Sequence, residues 1–302
     1  MNLEHFVGRD AEARLILNNL TARRSTLILG EAGVGKTALL EVLEPVLREE
    51  GKLIHCTRLS PFGAFIREVF TGLHDLRLIP DQTSSVSDDM KLWGKQNATN
   101  EEKARALLEL MRAHSDIIVV IDDASGVTQS SRPWLEQMLE VTTVLAATDP
   151  SALKKTGSKR FWKRFDEVSL DRLSKEESAE LLEHLMSHYS INADEPEVYK
   201  RRVLDLAQGS PFELQRLVKY HSSESIVRTR DLGSYSQQFV ERDVKQVAIA
   251  PILLILAAFM VAGRYIARAQ DNQDLYVVSG ILMAFMIVFS PWLRSALKPR
   301  SR

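Results

Sequence analysis

The 302-residue chain is 45% hydrophobic, 26% charged and 7% aromatic, with a formal net charge of −1. These values exclude a collagen-like, low-complexity or largely disordered polypeptide, and a single cysteine, Cys56, excludes a disulfide framework or four-cysteine zinc site and fits a reducing compartment. The near-neutral average hides a segregation: residues 246–302 hold six basic and two acidic side chains, net +4, leaving 33 basic and 38 acidic residues, net −5, in 1–245.

The opening M-N-L-E-H-F-V-G-R-D has no basic region followed by an apolar stretch, so no signal peptide is expected. Ala13, Leu15, Ile16, Leu17 and Leu20 recur at helical spacing over 9–21. S-T-L-I-L-G (25–30) reads as a buried strand, and a helix follows over 36–50, bent near Pro45. Residues 53–57 suggest a second strand and 62–74 a helix. From 78 to 100 the polar composition predicts a long exposed insertion with Trp93 as its buried anchor. A helix from Asn100 to about 114 precedes D-I-I-V-V-I-D-D (116–123), a continuous apolar strand ending in two carboxylates. A short helix over 133–141, a buried strand over 142–148 and a short strand over 166–170 complete the alternation. Strands that are apolar throughout and alternate with helices predict a parallel sheet covered on both faces. Beyond 171 only helices are expected, the first capped by Ser174 and Glu177, the next over 196–208 and 211–221.

Gly30, Glu31, Ala32, Gly33, Val34, Gly35, Lys36 and Thr37 fit G-x-x-x-x-G-K-[ST] between an apolar strand and a helix. Glycines let backbone N–H groups curl around phosphates, and Ala38 continues the helix whose positive end faces the anion. Lys36 is placed to reach the β- and γ-phosphates of ATP, and Thr37 to offer a hydroxyl to Mg²⁺. Asp122 is expected near the Mg²⁺ shell, and Asp123 beside an attacking water. The seven histidines show no paired ligand spacing, so no transition-metal site is expected.

F-V-G-R-D-A-E (6–12), the phosphate loop, the I-D-D strand end and G-S-P (209–211) together resemble the AAA+ ATPases. The branch most similar is the one shared by replication-initiator, ExeA-like secretion and STAND-type signalling ATPases. The resemblance covers about 5–222. It implies that Phe6, Val7, Gly8 and Arg9 lie against the adenine, that Thr148 is a polar sensor, and that Pro211 approaches the nucleotide from a helical lid. It also implies a homo-oligomer in which an arginine finger, Arg164 or Arg160, completes a neighbouring site. Asp122-Asp123 departs from the Asp-Glu of the motors and is similar to slow STAND-type switches. Phe212 stands where many lids carry arginine, with Arg216 one turn on as a weak substitute. The basic stretch from Lys154 to Arg164, interleaved with Phe161 and Trp162, reads first as a solvated face, next as that finger interface, and last as a patch for nucleic acid or anionic lipid.

Val247–Gly263 and Leu275–Leu293 are uncharged, mostly apolar runs of 17 and 19 residues. At helical rise they would extend about 25 and 28 Å, which predicts a transmembrane hairpin in the lipid bilayer. An ATPase domain that draws on cytosolic ATP places both termini on the cytoplasmic side of an inner membrane, and the basic residues flanking the runs add modest support against the two arginines of the loop. The full expectation is an α/β fold: a P-loop NTPase sheet over 1–170, an all-α lid over 171–222, a linker over 223–246 and two transmembrane helices within 247–302. Its function reads as a membrane-anchored ATP-dependent assembly switch working with a membrane or cytosolic protein partner, possible outputs including cellular defence. The alternatives are an ExeA-like secretion or envelope-assembly ATPase, a nucleic-acid-handling initiator or transposition regulator, and a scaffold that binds nucleotide without hydrolysis.

Overall fold

A computed structural model describes residues 7–97, 99–114, 116–154 and 159–222, with isolated positions at 227, 261, 262, 265, 266 and 269. The chain divides into two compact units, Met1–Leu232 and Gly233–Arg302. In the first unit, α1 (Asp10–Thr21), β1 (Thr26–Gly30), α2 (Lys36–Glu50), β2 (Lys52–Arg58), α3 (Phe62–Asp75), α4 (Val86–Gln96) and α5 (Asn100–Arg112) lead to β3 (Ile117–Asp123). Then come α6 (Arg132–Val141), β4 (Thr143–Thr148), the short α7 (Pro150–Leu153) and α8 (Lys159–Trp162), and β5 (Asp166–Leu170). Helices α9 (Lys175–His188), α10 (Pro196–Ala207) and α11 (Pro211–His221) follow and pack on one another where the helical lid is expected.

The five strands pair in parallel in the order β2-β3-β4-β1-β5. Alternation of side chains along β3 explains its unbroken apolar sequence. Val119 and Ile121 enter one core with Phe65, Phe70, Leu107 and Trp134, whereas Ile118 and Val120 enter the other with Ile16, Leu39 and Leu43. Because the chain crosses from β4 over β1 to β5, the loop after β1 opens at a switch in winding direction, where open parallel sheets bind ligands.

The polar stretch 78–100 is not the exposed loop its composition suggests, because it contains α4. Its serines and aspartates are helix-start residues: Ser85 caps the helix and Asp88 and Asp89 occupy the first turn. Trp93 packs on Phe70 with ring centroids 4.6 Å apart. Helix α5 begins at Asn100 as expected, behind a Thr99–Glu102 capping box.

The expected transmembrane hairpin is corrected. No helix among the described residues is long and apolar enough to cross a membrane. Among the described residues the fold class is therefore the α/β sheet with its helical lid, and the two spans and the inner-membrane placement that rested on them are not supported. Hydropathy reports how a run of side chains partitions and does not by itself establish a span, least of all at 17 residues, the lower limit of spanning length. Apart from Val261 and Ala262, the segments 247–263 and 275–293 lie outside the described residues. The expected linker 223–246 does too, except Val227, whose backbone bridges Ala193.

Candidate functional site

The loop from Gly30 to Thr37 joins the C-terminal end of β1 to the first residue of α2. Gly33 and Gly35 have φ of 81° and 100°, a left-handed conformation that side chains disfavour. A Cβ on Gly33 would also sit 3.1 Å from Ser210 Oγ and 3.2 Å from Phe212 Cβ, so space and conformation both select glycine there.

Lys36 Nζ donates to the carbonyls of Gly30 at 2.7 Å and Glu31 at 2.8 Å, folding back over its own loop. Burial lowers the pKa of Lys36, while Asp149, Asp122 and Asp123 act in the opposite direction. The Thr37 hydroxyl donates to the Asp122 carboxylate, 2.9 Å from one oxygen and 3.1 Å from the other. Asp123 is exposed and accepts from the Ser125 amide at 2.9 Å. Thr148 is 1% exposed, and its Oγ1 is buried with no hydrogen-bond partner. It pairs with Leu29 at the end of β1, which brings it beside the phosphate loop.

Above the loop lies a cavity of about 720 Å³, a size suited to a small-molecule ligand. Of the expected binding residues, Val7, Gly33, Val34, Gly35, Lys36, Thr37, Ala38 and Pro211 line it, as does Arg9. Gly8, Gly30, Glu31 and Ala32 do not, and neither do Asp122, Asp123, Thr148, Arg160 or Arg164. Phe6 lies outside the described residues. The sequence reading missed the lid wall: Leu173, Leu181, His184, Leu185, His188, Tyr189, Phe212 and Gln215 all face the cavity. Its signal was present, since 181, 184, 185 and 188 follow helical spacing on one face of α9. Asp149 was missed as well; a hydrogen bond from Ser151 and the charge of Lys36 hold its pKa below the usual value.

Thr37 and Asp122 offer a hydroxyl and a carboxylate, hard oxygen donors that suit Mg²⁺. Among the described residues no group of three or more His, Cys, Asp or Glu could hold a metal by itself. That is compatible with Mg²⁺, which is commonly bound by one or two carboxylates together with substrate phosphates.

In the basic stretch, Phe161, Trp162 and Phe165 are 3%, 2% and 7% exposed and pack on one another. Their rings are core, so they are not available to stack on bases. Arg160 is exposed, and Arg164 Nη1 lies 3.4 Å from Glu140 Oε1. Arg216 pairs with Glu213 at 2.7 Å rather than lining the cavity.

Residues 5–151 match the family described as AAA ATPase domain. The chain is also 27% identical over 204 residues to chaperone protein ClpB 2 of Parasynechococcus marenigrum (strain WH8102). That alignment takes in 63% of this chain and 20% of the relative, so the match spans about a fifth of the relative's length. With the five-stranded parallel sheet, these likenesses support an AAA+ P-loop ATPase domain.

Proposed function

We propose that this chain binds ATP with Mg²⁺ in the cavity between the phosphate loop and the lid, hydrolyses it slowly, and uses ATP binding to drive self-assembly. The observation that carries the reading is the Thr37–Asp122 contact, which joins the helix start to the end of β3 beside a preformed glycine loop. The loop amides and the N-terminal end of α2 would hold the phosphates. Lys36 would leave the Gly30 and Glu31 carbonyls for the phosphate oxygens, a stronger charge-assisted pairing. Mg²⁺, when bound by Thr37 and Asp122, supplies charge neutralisation at the phosphates. Asp123 orients the attacking water and accepts its proton, giving ADP and phosphate. The orphaned hydroxyl of Thr148 gains a partner in the water or the terminal phosphate, which relieves a cost of about 1–3 kcal/mol for a buried unpaired polar group. The lid wall of leucines, histidines and Tyr189 suits the base and ribose, whose edges are part apolar and part polar.

Assembly would be completed by an arginine from a neighbouring copy, with Arg164 ahead of Arg160 because its R-F-D context is similar to that of AAA+ fingers. The test is the size of the full-length protein in solution with ATP, with ADP, and for Lys36→Ala. Larger particles in ATP only, lost in Lys36→Ala and in Arg164→Ala, are expected. Identical size under all conditions would contradict the assembly reading while leaving ATP binding to its own measurement.

A further inference from the structure

The Gly33 carbonyl accepts two hydrogen bonds from the lid: one from Ser210 Oγ at 3.2 Å and one from the Phe212 amide, also at 3.2 Å. Ser210 is 6% exposed. Its hydroxyl serves both directions at once, donating to Gly33 and accepting from the Glu213 amide at 3.4 Å to cap α11. A trans peptide is planar, with its C=O and N–H pointing in opposite directions. Drawing the Gly33 oxygen towards the lid therefore turns the Val34 N–H away from the lid turn. The next carbonyl, of Val34, lies 3.5 Å from Arg9 Nη2. Arg9 also donates to the Asp171 carbonyl, where the chain enters the lid. Two successive peptides of the loop thus take their orientation from groups outside it.

We propose that Ser210 is a positioning residue: by holding the Gly33 carbonyl it sets the Gly33–Val34 peptide so that its amide is presented to phosphate, which makes grip on the nucleotide depend on the seating of the lid. The inference rests on the nucleotide-binding reading above. A loop whose amides are aimed before the anion arrives does not spend binding energy on reorganisation. Conversely, a lid that swings away releases the Gly33 oxygen and lets the loop relax, so nucleotide release and lid opening become one event.

The test uses the full chain and a fluorescent ATP analogue, with hydrogen exchange of the loop amides in nucleotide-free protein as the second readout. Ser210→Gly removes the donor yet retains most of the helix cap, because glycine is tolerated at that position. Ser210→Ala removes both donor and cap, and Ser210→Thr keeps both. The expected result is affinity weaker by roughly three- to tenfold in the glycine and alanine variants, the span one hydrogen bond supports. Loop exchange should be faster in both, and the threonine variant should return each readout to the wild-type value. Glycine and alanine variants that bind like wild type with unchanged exchange would overturn the proposal, as would a threonine variant as weak as alanine. Wild-type protein that binds no ATP would remove the reading beneath it, an outcome distinct from binding that the variants leave untouched.

Discussion

Thr37 and Asp122 meet at 2.9 Å although 85 residues separate them in the chain. The contact links the phosphate loop to the carboxylate end of β3 and prepares two oxygen donors side by side. Thr37→Ala and Asp122→Asn are therefore expected to weaken the dependence of ATP binding on Mg²⁺ while leaving binding of metal-free nucleotide near wild type. Titrating Mg²⁺ at fixed ATP checks this; wild-type Mg²⁺ dependence in both variants would argue against the pair as metal ligands.

Asp123 is exposed and bound to the Ser125 amide through one oxygen, which leaves the other for a water. Asp123→Asn should lower kcat by roughly 10²–10⁴, the usual contribution of a positioned general base, with ATP affinity retained. Asp123→Glu reaches one bond further and should raise turnover above wild type if the short carboxylate limits the rate. Phosphate release and analogue binding, measured on the same preparations, separate the two effects.

The loop of the candidate site could be read from the sequence because its pattern is local. Glycine spacing fixes the loop, the lysine and threonine follow it directly, and an apolar strand ending in aspartates brings Asp122 against Thr37. The helical spacing of 181, 184, 185 and 188 marks one face of α9, but that this face meets the cavity depends on how the lid seats on the loop, which spacing does not give. Helix α4 was not legible either: its capping serines and first-turn aspartates look like loop composition until Trp93 is seen against Phe70. The apolar runs near the C-terminus show the limit of hydropathy, which reports how side chains partition and does not by itself establish a span; no helix among the described residues is long and apolar enough to cross a membrane.

Asp89 makes a sharper case of buried chemistry in a polar-looking segment. It is 7% exposed; its Oδ2 accepts from the Thr83 amide at 2.6 Å and lies 3.0 Å from His74 Nε2, and its Oδ1 accepts from the Thr83 hydroxyl at 2.9 Å. Burial pushes its pKa up, but the bonds from Thr83 and His74 outweigh it and hold the carboxyl below the usual value. A depressed folded pKa means that the unfolded chain takes up the proton first, so this contribution is present above the unfolded value of about 3.9 and is lost as pH falls through the folded one. Thermal unfolding across pH 7 to pH 3 should show a lower melting temperature for Asp89→Asn at neutral pH and a shallower acid decline than wild type. Parallel curves would show that the carboxylate does not fasten α4 to α3.

The central claim, that the loop from Gly30 to Thr37 serves an ATPase, is tested most directly by phosphate release from ATP with Mg²⁺ for wild type and Lys36→Ala. The account predicts slow, Mg²⁺-dependent turnover by wild type and a loss of roughly 10²–10³ in the variant, the scale of one preorganised charge-stabilising group. Turnover that survives in Lys36→Ala, or wild-type protein that releases no phosphate from ATP it binds, would contradict it.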